Sequence, residues 1–178
     1  MLVPLIIHDL LSSSSNNNDG FLPQFSRLHT QLGPGSLTPT TYDPNPYIEA
    51  DFGSVKLVKK VAIQGRAGNN EWVTTYKLSH ETTTGDFVDV SGPFDDEAIV
   101  FVGNSDRDTV VTSNVEPNVE TRRLRLHPLS ASNANSLRWE VYGRHIEFDG
   151  NISLRFLKYG NNNIPLFAVR GVYECNFE

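Results

Sequence analysis

An all-β fold, a sandwich or barrel, is what this sequence predicts, and three observations predict it. Strand-like runs recur at close to the modal strand length of about six residues. Glycine, proline and asparagine punctuate them at near-regular spacing, as in YIEADFG, VAIQGRAGNN and ETTTGD. Between Met1 and Gly143 no stretch of about eleven residues sustains the apolar period of an amphipathic helix.

The chain opens with MLVPLIIHDLL. This apolar run is too short to cross a bilayer and lacks the basic flank and small-residue cleavage site of a signal peptide, so it reads as an N-terminal strand. The serines and asparagines of residues 12–18, followed by Asp19 and Gly20, bond to nearby backbone through their own side chains and predict a loop. Phe21, Pro23 and Phe25 anchor its far foot. Pro34, Pro39, Pro44 and Pro46 exclude helix and central strand and predict a long surface connection. Residues 47–52 (YIEADF) then alternate, with Tyr47, Glu49 and Asp51 on one face and Ile48, Ala50 and Phe52 on the other.

Residues 55–64 (VKLVKKVAIQ) read as a separate strand from their β-branched content and the bordering Gly53 and Gly65. A polar loop, RAGNN, leads to Trp72 and the strand WVTTYKLSH, which ETTTGD turns into FVDV. Further strands are expected at residues 97–102, 109–115 and 122–127, and the Arg-Trp-Glu alternation of SLRWEVYG supplies a closing one. Residues 144–178 carry Gly150-Asn151 and Gly160-Asn161 turns and read as a β-hairpin or meander appended to the main domain.

At 178 residues and 19.9 kDa, with 38% hydrophobic and 20% charged residues, the composition is that of one globular domain with an appendage. A net charge of −6 repels a phosphate backbone, and alternation sets Arg122 and Arg123 of the densest basic run on opposite faces, so no nucleic-acid partner is expected. The single cysteine, Cys175, excludes an internal disulfide. The histidines lack metal-ligand spacing, and Asp95, Asp96 and Glu97 read as a solvated turn. There is no Gly-x-Ser-x-Gly elbow and no phosphate-cradling glycine loop, so the chain is read as not an enzyme, with no catalytic residue. Asn151-Ile152-Ser153 is a glycosylation sequon that matters only in a secreted chain.

GNSDRDTVV, TRRLRLHP and SLRWEVYG, preceded in order by IIHDLLSSSS, YIEADFG, VAIQGR and WVTTYKLSH, resemble the discoidin domain, the coagulation factor 5/8 type C family. The central hairpin is most similar to the slime-mould discoidins, and the resemblance spans roughly residues 7–143. It implies a discoidin-type jelly-roll β-sandwich of about eight strands over residues 1–143, with recognition loops at one end. Residues 144–178 are left as an extension of unassigned role.

The resemblance places those loops at residues 15–21, 33–37, 66–71 and 131–136. In clotting relatives the first and third carry large apolar side chains that insert into phosphatidylserine membranes. Here the tips are Asn16, Asn17 and Asn18, and Gly68, Asn69 and Asn70. A buried large apolar side chain is worth about 1.5 to 3 kcal/mol, whereas an unpartnered amide in hydrocarbon costs energy. Amide tips therefore argue against insertion, and with both donors and an acceptor they suit sugar hydroxyls. The candidate ligand-binding residues are Asn16, Asn17, Asn18, Asp19, Phe21, Arg66, Asn69, Asn70, Glu71, Asn133 and Asn135. Phe21 offers an aromatic face if it points outward, and Arg66 is the arginine placed nearest the ligand.

Arg122, Arg125, Arg138, Asp51 and Glu140 match the family's framework charges and are expected to pair with one another as ions. The family's terminal cysteine pair is absent, and Arg144 stands after the closing YG. Sugar-binding relatives often hold calcium between an acidic residue of the second loop and a glutamate of the last strand. Glu140 is retained as the one metal candidate while its acidic partner is missing, so no cofactor is expected. The expected function is non-catalytic recognition or adhesion on a glycan or cell-surface glycoconjugate, outside the cell or on its surface. Weak single sites of this kind gain from several copies, as in a homo-oligomer. The alternatives are attachment to an anionic phospholipid surface and binding of a protein receptor.

Overall fold

The computed structural model describes residues 1–6, 10–18, 20–92, 94 and 96–146, with the backbone of 156–159 and 162–165. It has two units, Met1–Ile146 and Glu147–Glu178. The first contains β1 (Val3–Pro4), β2 (Leu11–Ser13), β3 (Ile48–Gln64), β4 (Trp72–Glu81), β5 (Phe87–Asp89), β6 (Phe101–Val102), β7 (Val111–Ser132) and β8 (Arg138–His145). These pair antiparallel into one continuous eight-stranded sheet, and a 3-10 turn spans Pro23–Ser26.

Two pairs of expected strands are fused. The expected strands 47–52 and 55–64 join in the single strand β3, which begins at Ile48, and those at 109–115 and 122–127 join in β7, which begins at Val111. Gly53 does not end β3; with φ of 72° it bends the strand, and the register slips between Asp51 and Lys56. A side chain in that left-handed conformation costs roughly 1 to 2 kcal/mol, which is why glycine sits at the bend. Before the bend Ile48 to Asp51 pair with Leu126 to Arg123; after it, Lys56 to Ile63 pair with the first half of β7, and Lys56 to Gln64 with β8. Each long strand therefore serves both layers of a sandwich by bending from one to the other. One layer is β2, the start of β3, the end of β7 and β4, with β5 and β6 on the far edge of β4. The other is β1, β8, the end of β3 and the start of β7.

The core lies between these layers. Ile48, Ala50, Phe52, Tyr76, Leu78, Leu124 and Leu126 from one, and Val58, Val61, Ile63, Trp139 and Val141 from the other, are at most 1% exposed. The expected strand at 97–102 shortens to β6, because Ala98 makes only an isolated bridge to Ser91 and Val100 faces solvent. β8 continues beyond Gly143, with Arg144 opposite Leu57 and His145 opposite Lys56.

The face of β3 that carries Glu49 and Asp51 meets the basic run of β7. Arg122 bonds both Asp51 oxygens at 2.9 Å, Arg125 bonds Glu49 at 2.7 Å, and Arg123 bonds Glu81 at 2.5 Å. The Arg122 contact is the main cause holding the Asp51 carboxyl below its usual range. Pairing with carboxylates, rather than strand alternation, is what neutralises this patch. Arg138 corrects the expectation of a carboxylate partner. The residue is 3% exposed, and its guanidinium donates to three carbonyls, Gly65 at 2.6 Å, Thr30 at 3.1 Å and Arg107 at 2.9 Å.

In the second unit β9 (Phe156–Tyr159) pairs antiparallel with β10 (Asn162–Pro165), Tyr159 opposite Asn162. The Gly150-Asn151 turn, the sequon at Asn151, the Gly160-Asn161 turn and Cys175 lie outside the described residues.

Candidate functional site

Strand register brings the expected loops to one end. Trp72 pairs with Ser132 and Gln64 with Arg138, so the loop between β3 and β4 lies beside the loop between β7 and β8. Leu37 bridges Leu137, bringing in the connection that follows the 3-10 turn, and Asn17 N–H donates to the Thr38 carbonyl at 2.9 Å, bringing in the loop after β2.

Arg66 is the hub where these loops meet. Its Nε donates to the Pro34 carbonyl at 3.0 Å, its Nη1 to both Glu71 oxygens at 2.9 and 3.1 Å, and its guanidinium lies 4.7 Å above the centre of the Phe21 ring. With its amide turned to suit, Asn69 accepts from Arg66 Nη1 at 2.9 Å. Glu71 also accepts from Ser136 Oγ at 2.7 Å, and Ser136 shares a 2.7 Å hydrogen bond with Thr38. Burial pushes the Glu71 carboxyl up, but the bonds from Arg66 and Ser136 outweigh it and hold the group below its usual range. It is an anion at neutral pH, matched by the cation beside it.

Close backbone approach seals the join between the second and third loops. Gly35 has φ of +73°, and a Cβ there would stand 2.6 Å from the Ala67 Cβ. Ala67 N–H donates to the Gly35 carbonyl at 3.1 Å, a bond that a larger residue would part. On the other side Asn133, in the left-handed region at φ 64°, donates from Nδ2 to the Asn70 carbonyl at 2.6 Å.

The predicted residues therefore divide by position. Asn17, Asn18, Asn69, Asn70 and Asn133 are exposed, and among the described residues the side chains of Asn17 and Asn70 make no hydrogen bond. Asn18 Oδ1 accepts from Gly20 N–H at 2.8 Å, the turn chemistry its position predicts. Asn16 is turned inward, within 2.7 Å of Ser13 Oγ, and Asn135 is half-buried. Phe21 corrects the expectation of an outward aromatic face: it is 9% exposed and covered by Arg66. Asp19 lies outside the described residues.

Glu140 is buried in an ion pair with Arg27 and accepts from the backbone N–H of Ile6 and Val141. Its oxygens face protein donors, and the described residues contain no cluster of three metal-binding side chains.

Sequence reasoning missed Asp43, Ser136 and Thr38. Asp43 Oδ2 accepts from Ser14 and Ser15 at 2.5 and 2.6 Å, tying the first loop to the proline-rich connection. A lone acid among prolines carries no local signal for a partner 28 residues away.

The chain is 31% identical over 123 residues to Discoidin-2 of Dictyostelium discoideum, covering 69% of this chain and 46% of that protein. It is 32% identical over 170 residues to lactadherin of Rattus norvegicus, covering 89% of this chain and 38% of that protein. The chain thus spans less than half the length of these curated relatives. Among solved structures, wild-type discoidin II from Dictyostelium discoideum matches with a TM-score of 0.69 at 28% identity, over 82% of this chain and 58% of that one. The family 32 CBM from C. perfringens NanJ, solved in complex with galactose, shares the fold with a TM-score of 0.61 at 11% identity, over 80% of this chain and 99% of that one. The F5/8 type C domain model matches residues 11–141, and on that match the chain belongs to the F5/8 type C, or discoidin, domain family.

Proposed function

We propose that this chain is a non-catalytic recognition module that binds carbohydrate at the loop end, working outside the cell or on its surface. The observation that carries the reading is a rim of exposed amides, Asn17, Asn18, Asn69, Asn70 and Asn133, set around the charge-matched Arg66 and Glu71. Such a rim offers donors and acceptors together, the pattern a ring of sugar hydroxyls requires. The base is held by ion pair and hydrogen bond, so little ordering is needed on binding, which favours weak polar ligands.

The galactose held by the fold-sharing family 32 module sets the first probe. A multivalent form of the chain is tested on a glycan array with and without calcium, then by titration with galactose. The expected result is calcium-independent binding, weakened about threefold to tenfold by Asn70→Ala, the worth of one neutral hydrogen bond. Absence of binding to every glycan under both conditions refutes the reading.

One observation favours a second reading. Leu32, beside the second loop, is 69% exposed, and its burial in a bilayer would contribute about 1.5 to 3 kcal/mol. Sedimentation with phosphatidylserine vesicles tests this. Retention that Leu32→Ala abolishes would replace the glycan by an anionic lipid surface.

A further inference from the structure

We propose a second ligand site, at the opposite end of β3 and β8 from the loops, that binds the sulfate groups of a sulfated polysaccharide. Among the described residues, seven arginines and lysines pair with carboxylates and Arg138 bonds carbonyls. Lys59, Lys60 and Arg144 make no ion pair or hydrogen bond there. Lys56 donates to Ser54 Oγ at 2.8 Å and meets His145 Nδ1 at 2.9 Å, neither of them a carboxylate.

These unmatched cations are neighbours because β3 bulges. Val58 and Val61 are both fully buried, although strict alternation would set them on opposite faces. The register slips between Val58 and Lys60, so Lys59 and Lys60 both lie on the outward side between two inward valines. On β8, Tyr142 stands opposite Lys60, Gly143 opposite Val58 and Arg144 opposite Leu57. Arg144 therefore shares the outer face with Lys60, about 7 Å along the sheet and one strand across. Like charges set this close destabilise a sheet, and an anion relieves their repulsion. The carboxylates of this face stand apart: Glu140 is held by Arg27, and Glu120 lies two strands from Arg144, across Leu57. Exposed Asn114, opposite Lys60 on β7, adds an amide.

Charges spread over a sheet face suit oxyanions repeated along a chain better than one free phosphate. β3 and β8 expose no large apolar side chain to enter a membrane, and Tyr142 alone is little aromatic surface for stacking nucleic-acid bases. A sulfated polysaccharide needs neither.

The test is calorimetry and amide-resolved NMR of the full chain with sucrose octasulfate, beside sucrose as the same sugar without sulfate. Saturable shifts are expected at residues 57–60, 114 and 142–145, with none there from sucrose. The double variant Lys59→Gln/Lys60→Gln is expected to raise the Kd about tenfold, the worth of two exposed ion pairs together. Arg107→Gln removes a cation that is already paired, and Asn70→Ala a loop-end amide, and both are expected to leave binding unchanged. Because the double variant relieves repulsion, its urea midpoint is expected at or above that of wild type, which separates lost binding from lost fold. Shifts that sucrose reproduces or that fall elsewhere, equal binding by the double variant, a fall in its midpoint, or an equal loss in Arg107→Gln overturn the proposal. Tighter binding of phosphatidylserine vesicles or of a short single-stranded oligonucleotide at the same salt also overturns it, and gives the patch to lipid or nucleic acid.

Discussion

His127 makes the chain's stability depend on pH in a window that its carboxylates do not share. The side chain is 7% exposed and hydrogen-bonded through Nε2 to Ser79 Oγ at 2.8 Å. Burial first, and then the positive charge of Lys77, push its pKa from 6.5 down to about 4. In the unfolded chain the imidazole takes up its proton near pH 6.5, while in the folded chain it stays neutral until about pH 4. Over that interval the unfolded state binds more protons, so stability falls as pH falls and levels off below the folded value. At about 1.4 kcal/mol per unit, the loss from His127 alone is about 2 kcal/mol by pH 5 and about 3 kcal/mol in full. Asp51, Glu71 and Glu81 also have lowered values, but their stabilisation is lost only as pH falls below the ordinary carboxylate range of 3.8 to 4.5. Urea unfolding of wild type and His127→Gln between pH 7 and 4 separates the two. The amide keeps a partner for Ser79 and does not titrate, so the variant's stability is expected to stay nearly flat down to about pH 4.5 while wild type declines. Parallel curves for the two proteins would refute the assignment.

Three other perturbations probe the scaffold under the loops. Arg66→Met removes the partner of a half-buried Glu71 and a bond to Pro34, and is expected to cost about 2 kcal/mol in urea unfolding and to lower affinity for sugar in calorimetry. Arg138→Met leaves the carbonyls of Gly65, Thr30 and Arg107 without their donor, and a loss of about 3 kcal/mol or more is expected in the same assay. Gly35→Ala forces a Cβ against Ala67 in a left-handed backbone, so hydrogen exchange should quicken at residues 33–37 and 66–71, with thermal stability down by about 2 kcal/mol.

Apolar alternation is enough to place the start of β3, because Ile48, Ala50 and Phe52 are buried there and a one-residue slip would turn Ile48 to water. It could not show that β3 continues through Gly53, since a glycine ending a strand and a glycine bending one look alike until the pairing on both sides is known. The framework pairs of Arg122 and Arg125 were legible from their resemblance to a known pattern. Arg138 was misread because three carbonyls from three separate loops replace the carboxylate, and backbone acceptors leave no trace in residue identity. At the site, loop locations and exposed amides could be read ahead, but the inward turn of Asn16 and the cover of Arg66 over Phe21 arise from contacts between loops distant in sequence.

That cover changes what the loop end can bind. An Arg66 free to reach outward would itself be a ligand contact, and an uncovered Phe21 would be a stacking platform or an apolar probe for a membrane. With the guanidinium spread over the ring and bonded to Glu71, each satisfies the other. Pulling Arg66 away to meet a ligand would unpair the half-buried Glu71 carboxylate, which costs more than a single neutral hydrogen bond to a sugar returns. The proposed ligand is therefore met by the amides of Asn17, Asn70 and their neighbours, while Arg66 holds the floor beneath them. Specificity in such a site follows from where the rim amides stand, and their spacing is set by Gly35, Ala67, Ser136 and Thr38 below.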